Sequence, residues 1–213
     1  MYMLTYLGNL LKIARGNYTL DPHIAVYYVT MQCNLNCAYC EDFGSRRNQL
    51  VTPAPPLEDA KRILQVIRTG VDRLWLTGGE PLMHPQLLEL LSYARSELKF
   101  REISLITNGT LLANVVARSG ASRPDEAISR NKGIASPSAR NDILSLLDHL
   151  IISLDSTDPQ ALSTVSVPDA YTETVIANAR EAASLQKKYD FKLILNAVIT
   201  PETLPGMDKL LAF

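Results

Sequence analysis

The chain has 213 residues, 46% of them hydrophobic and 20% charged, with a formal net charge of -1. That length and composition suit one large domain or two small ones with a genuine core, and the near-neutral balance argues against a nucleic-acid groove or an anionic membrane surface as partner. No apolar run reaches the ~18 residues of a membrane span, and the N-terminus has neither the basic start nor the cleavage site of a signal peptide, so a cytoplasmic address is expected.

In chain order, residues 2–15 predict a helix, with Leu4, Leu7, Leu11 and Ile13 near helical spacing and Gly16-Asn17 as its stop. This amphipathic helix is expected to pack on the outside of the main domain. Residues 24–31 are β-branched and aromatic and predict a strand. A proline-punctuated connection leads to a helix over 57–70, then a strand over 73–77 closed by Gly78-Gly79. A helix over 85–98 with proline at its start precedes a strand over 102–107, closed by Asn108-Gly109. Further strands are expected over 149–155 and 191–199, separated by a helical stretch over 170–188, and a last helix begins at Met207.

Strands that alternate with helices predict parallel βαβ units, and five near-continuous apolar strands predict an open α/β sheet or partial barrel. Function in such folds gathers at the C-terminal ends of the strands. Those ends carry the unusual residues here: the cysteines, Gly78-Gly79-Glu80-Pro81, Thr107-Asn108-Gly109 and Ser153-Leu154-Asp155. Residues 114–141 break the rhythm and read as a surface insertion, with a lid over the sheet as the sharper alternative.

All three cysteines, Cys33, Cys37 and Cys40, lie within one short loop. An odd number so closely packed is a poor disulfide framework and a good metal ligand set. Zinc would need a fourth ligand to close its tetrahedron, and His23 lies on the far side of a predicted strand. Three thiolates suit a [4Fe–4S] cluster that keeps one iron open.

The CxxxCxxC loop after a first strand, with Tyr39 before its last cysteine, followed in order by GGEP, TNG and SLD at strand ends, resembles the radical S-adenosylmethionine (SAM) superfamily. The wording TGGEPLMHP, ITNGTLL and ISLD is similar to the branch of the molybdenum-cofactor cyclase and the SPASM peptide maturases. The resemblance implies a partial (βα) barrel of the TIM type. It divides the chain into an N-terminal helical extension, 1–23, and a core domain, 24–213, with the insertion at 114–141. Cys33, Cys37 and Cys40 would ligate iron, and SAM would chelate the open one. Tyr39 would lie against the adenine, and the backbone of Gly78, Gly79 and Glu80 would receive the methionine ammonium, with Glu80 also holding the turn through its carboxylate. Asn108, Ser153 and Asp155 would lie near the methionine carboxylate or the ribose, and Asn196 is a further candidate.

The activity implied is reductive cleavage of SAM to a 5′-deoxyadenosyl radical that takes hydrogen from a peptide or small metabolite, with an electron donor such as flavodoxin or ferredoxin. Five strands fall one short of the family's usual core, so the chain reads as shortened or split. No SPASM-type cysteine extension follows. A non-catalytic cluster-binding relative serving as partner or scaffold, and a zinc-stabilised α/β binding protein, are the alternatives. His84, His149 and Trp75 read as structural. Asp155-Ser156 also fits a helix cap, and Asn-Gly a plain turn.

Overall fold

The computed structural model describes residues 2–40, 53–112 and 143–213. Helix α1 (Tyr2–Ala14) leads into β1 (Ala25–Thr30); α2 (Leu57–Gly70), β2 (Arg73–Gly78), α3 (Leu87–Ser96) and β3 (Glu102–Thr107) follow. After residue 142 come β4 (His149–Ser153), α4 (Pro159–Val165), α5 (Asp169–Tyr189), β5 (Lys192–Asn196) and α6 (Met207–Leu211). The five strands form one sheet in the order β1-β2-β3-β4-β5, every pair parallel. The α/β architecture expected from the alternation is therefore present. The insertion expected at 114–141 lies outside the described residues.

Register sorts the side chains into two faces, because neighbours in register share a face and successive residues alternate. Leu76, Leu105, Leu150 and Leu193 form one row, and Thr107, Ile152 and Leu195 the next. This face meets Leu64 of α2, Leu90 and Leu91 of α3, and Val175 and Ala179 of α5, all fully buried. Each of these leucine and valine side chains contributes ~1.5–3 kcal/mol by leaving water. Trp75, Ser104, His149 and Lys192 make a row on the other face, with Val26 and Tyr28 of β1 half exposed there.

Helix α1 forms as expected, but its apolar stripe is not the side that holds it. Leu7, Leu11 and Ile13 are exposed, together with Tyr6 and Leu10. The anchored side is polar: the Asn9 side chain donates to Asp21 O at 3.0 Å and accepts from Asp21 N at 2.9 Å, and Lys12 pairs with the Asp21 carboxylate at 2.7 Å. Two hydrogen bonds and an ion pair to one residue fix the polar face of the helix.

Other boundaries shift for local reasons. The helix expected over 85–98 starts at Leu87, because Pro81–Met83 first form a 3-10 turn. The strands expected over 149–155 and 191–199 pair regularly only as far as Ser153 and Asn196. Helix α4 was not expected; the Asp158 side chain caps it by accepting from Gln160 N, with Pro159 in its first turn.

Candidate functional site

β1 and β2 do not part at their C-terminal ends. Pairing slips between Tyr28 and Thr30, and the contact continues: Gly79 N donates to Thr30 O at 2.9 Å and Glu80 N to Gln32 O at 2.7 Å. The Gly-Gly turn thus lies against the last residues before Cys33. A Cβ on Gly78 would stand 2.2 Å from Thr30 O, one on Gly79 2.2 Å from Gln32 O and 3.0 Å from Cys33 Cβ, and Gly78 holds φ +148. Only glycine fits both positions. Since the Gly79 and Glu80 amide hydrogens are used on Thr30 and Gln32, the turn has carbonyl oxygen left to offer a ligand, the chemistry an ammonium requires.

Glu80 is fully buried. One carboxylate oxygen accepts from Leu82 N at 3.0 Å and Thr107 Oγ1 at 2.8 Å, and the other from Asn108 N at 2.8 Å. Its carboxylate therefore clamps the end of β2 to the end of β3, the turn-holding role expected of it. Burial pushes its pKa up to about 7 against three hydrogen bonds that lower it.

The three thiols are free and partly exposed. Cys33 Sγ accepts from Leu35 N at 3.4 Å and from Asn108 Nδ2 at 3.9 Å. Cys37 donates to Ser166 O at 3.7 Å, and Ala38 N donates to Val165 O at 2.8 Å, so the α4–α5 junction holds the far side of the loop. Burial pushes the Cys37 thiol up to about 12, and the nearby charges of Cys33, Asp155 and Cys40 push the same way. Burial also raises Cys33, and the Glu80 and Cys40 charges add to it. With burial and neighbouring negative charge both holding Cys33 and Cys37 as thiols, their ionisation calls for a cationic centre, which iron would supply. Among the described residues, no three His, Cys, Asp or Glu close around a single metal ion.

Tyr39, 37% exposed as a residue, donates its hydroxyl to Asp155 Oδ2 at 2.6 Å, and Asp155 Oδ1 accepts from Val198 N at 2.9 Å. Burial, then this bond, push the tyrosine well above its ordinary range. Asp155 does not cap the following helix; Asp158 does. Ser153 and Asn196 stand in register on β4 and β5, half-buried and exposed respectively. Asn108 faces Asn34 and Cys33.

Sequence reasoning missed Asn34 and Thr110, which bond to Asn108, and Asn178 of α5, which donates to Gly109 O at 2.8 Å behind the turn. The S/T/N-rich wording around TNGT was the available signal for Thr110. Of the residues read as structural, His84 is buried with Nδ1 accepting from Gln86 N at 3.1 Å, and His149 lies 3.1 Å from Ser104 Oγ. A crevice lined by His23, Arg68, Arg73 and Arg101 opens at the opposite, N-terminal end of the strands.

Comparison with known proteins matches residues 27–213 to the family model described as "Radical SAM superfamily". A GTP 3′,8-cyclase of Acidothermus cellulolyticus is 31% identical over 195 residues, 87% of this chain and 46% of that protein. An S-adenosylmethionine-dependent nucleotide dehydratase, RSAD2 of Danio rerio, is 34% identical over 95 residues, 43% of this chain and 25% of that protein. The chain thus spans between a quarter and a half of the length of these curated relatives. Among solved structures, Streptococcus suis SuiB superposes with a TM-score of 0.61 at 20% identity, over 97% of this chain and 41% of that one. Native anSMEcpe with bound AdoMet gives 0.59 at 17% identity, over 90% and 47%. These likenesses confirm the fold: a parallel α/β sheet of the radical SAM kind.

Proposed function

The chain belongs to the radical SAM superfamily, and from that premise we propose that it is the core of an enzyme that cleaves SAM reductively and draws hydrogen from a small-molecule or peptide substrate. The observation that carries the reading is the seating of one three-thiol loop against a glycine turn that admits no side chain. When bound, the cluster and SAM supply a 5′-deoxyadenosyl radical for that abstraction.

The chain's own residues bind and orient. Cys33, Cys37 and Cys40 hold iron and leave one position for SAM. The carbonyls of Gly78 and Gly79 meet the methionine ammonium. Tyr39, Asn108, Ser153 and Asn196 border the nucleoside and carboxylate ends. Glu80 and Asp155 act through other groups, since their oxygens accept from protein donors: Leu82, Thr107 and Asn108 for Glu80, Tyr39 and Val198 for Asp155. Nucleotides are the first substrates to test, because the cyclase and the dehydratase named above are both nucleotide enzymes. The domain reading of 1–23 as an extension and 24–213 as the core belongs to the same proposal, as do a flavodoxin- or ferredoxin-type donor and a cytoplasmic address. Among the described residues, no helix is long and apolar enough to cross a membrane.

The test is anaerobic. Protein reconstituted with iron and sulfide, reduced with dithionite and given SAM is assayed for 5′-deoxyadenosine, beside Cys37→Ala. Cluster-dependent product supports the enzyme. A well-formed cluster that never yields product favours the non-catalytic relative, and zinc in place of iron removes the reading altogether.

A further inference from the structure

Asn34, Asn108 and Thr110 close a ring of hydrogen bonds beside Cys33. Asn34 Nδ2 donates to Thr110 Oγ1 at 2.7 Å, Thr110 Oγ1 donates to Asn108 Oδ1 at 2.7 Å, and Asn108 Nδ2 donates to Asn34 Oδ1 at 3.0 Å. Each bond uses a different hydrogen, so the three polarise one another in the same sense around the ring. Thr110 N also donates to Asn108 Oδ1 at 3.0 Å. A backbone N–H can only donate, so the amide atom facing it is the oxygen, and the Asn108 NH₂ must face the cysteine loop. Glu80 holds the same residue by its main-chain N–H. Asn108 is therefore fixed at backbone and side chain together.

One Asn108 amide hydrogen goes to Asn34, and the other is left for Cys33 Sγ at 3.9 Å. With Leu35 N at 3.4 Å, Cys33 receives two N–H donors. Cys37 differs: its thiol donates to Ser166 O, and the Tyr39 hydroxyl lies beside it.

We propose that Thr110 and Asn34 are positioning residues that aim the Asn108 amide at Cys33, and that this N–H···S bond raises the reduction potential of the cluster. The inference rests on the cluster reading above and adds a tuning device to it. A donor to a thiolate ligand stabilises the more negative, reduced state. Thr110 is the buried member of the ring and Asn34 an exposed one, and both act through Asn108 without needing to touch SAM.

The experiment is a redox titration of the reconstituted protein, followed by the electron paramagnetic resonance of the reduced cluster, with iron and sulfide counted per chain. Thr110→Val, which keeps shape and loses the hydroxyl, is expected to make reduction two- to tenfold less favourable. Tenfold corresponds to about 59 mV for one electron. Thr110→Ser restores the hydroxyl and the wild-type potential. Asn34→Ala, at an exposed position, lowers the potential without disturbing the core and serves if Thr110→Val does not fold. Wild-type potentials in both variants overturn the inference. So does loss of the cluster from both while circular dichroism shows an intact fold, since the ring would then hold the loop and not tune the sulfur. A wild-type protein that assembles no cluster overturns the parent reading, and this one with it.

Discussion

The Tyr39 hydroxyl and the Asp155 carboxylate meet at 2.6 Å across 116 residues of sequence, joining the cysteine loop to the end of β4. Asp155 is 2% exposed, and Val198 N beyond β5 holds its other oxygen. The loop is therefore tied at both ends, to the glycine turn before Cys33 and to β4 and β5 before Cys40. Tyr39→Phe removes one donor from a buried carboxylate, which costs about 1–3 kcal/mol. It should lower the urea midpoint of the protein and speed cluster loss in air, followed as bleaching of the visible absorbance. Unchanged midpoint and bleaching would mean that the bond contributes nothing to the loop.

Gly79→Ala gives the sharpest steric test. The new methyl would sit 2.2 Å from a backbone oxygen, with no flexible side chain to yield. Either the turn withdraws from residues 30–32 or the cysteine loop moves, and a forced shift of this kind costs at least ~2 kcal/mol. Iron bound after reconstitution should fall well below one cluster per chain, whereas Gly8→Ala, in open space on α1, should leave it unchanged.

Glu80 gives the fold a pH dependence of definite sign. Its carboxyl titrates near 7 in the fold against an ordinary 4.5, so between those values the folded state holds a proton that the unfolded chain has released. The resulting stabilisation is fully present below about 4.5 and is lost as pH rises through about 7. Its upper limit is on the order of 3 kcal/mol. Glu80→Gln does not titrate. Urea unfolding of the apoprotein from pH 5 to 8 should show a decline in stability in the wild type that this variant lacks, although the variant is weaker throughout because an NH₂ then meets a backbone donor.

What the sequence disclosed follows from where the information lies. Cys33, Cys37, Cys40, Gly78 and Gly79 were legible because thiol spacing and paired glycines have few other uses. The strands were legible as apolar runs, most of all β3 and β4, where successive residues are buried on both faces. Thr110 and Asn34 were not, since they lie 76 residues apart and their pairing exists only once β1 and β3 are neighbours of β2. Tyr39 and Asp155 were recognised as site residues, but their bond depends on how the loop crosses the sheet. The role of Asp158 as the helix cap was readable from Asp-Pro and went to Asp155-Ser156 instead.

Helix α1 is where periodicity misled most, and it yields a prediction opposite to the usual one. An apolar stripe reports which face prefers to leave water, not which bonds are available to hold the helix. Here the two-point bond between Asn9 and Asp21, with Lys12 beside it, fixes the polar side, while Leu7 and Leu11 stay 48% and 57% exposed. Leu7→Gln and Leu11→Gln should therefore change stability by less than ~0.5 kcal/mol, as surface substitutions do. Asn9→Ala leaves the Asp21 backbone groups without their side-chain partner and should cost ~1–2 kcal/mol. Chemical denaturation of the three variants decides it. If the leucine variants lose more than Asn9→Ala, the apolar face is the anchoring one and the helix sits the other way round.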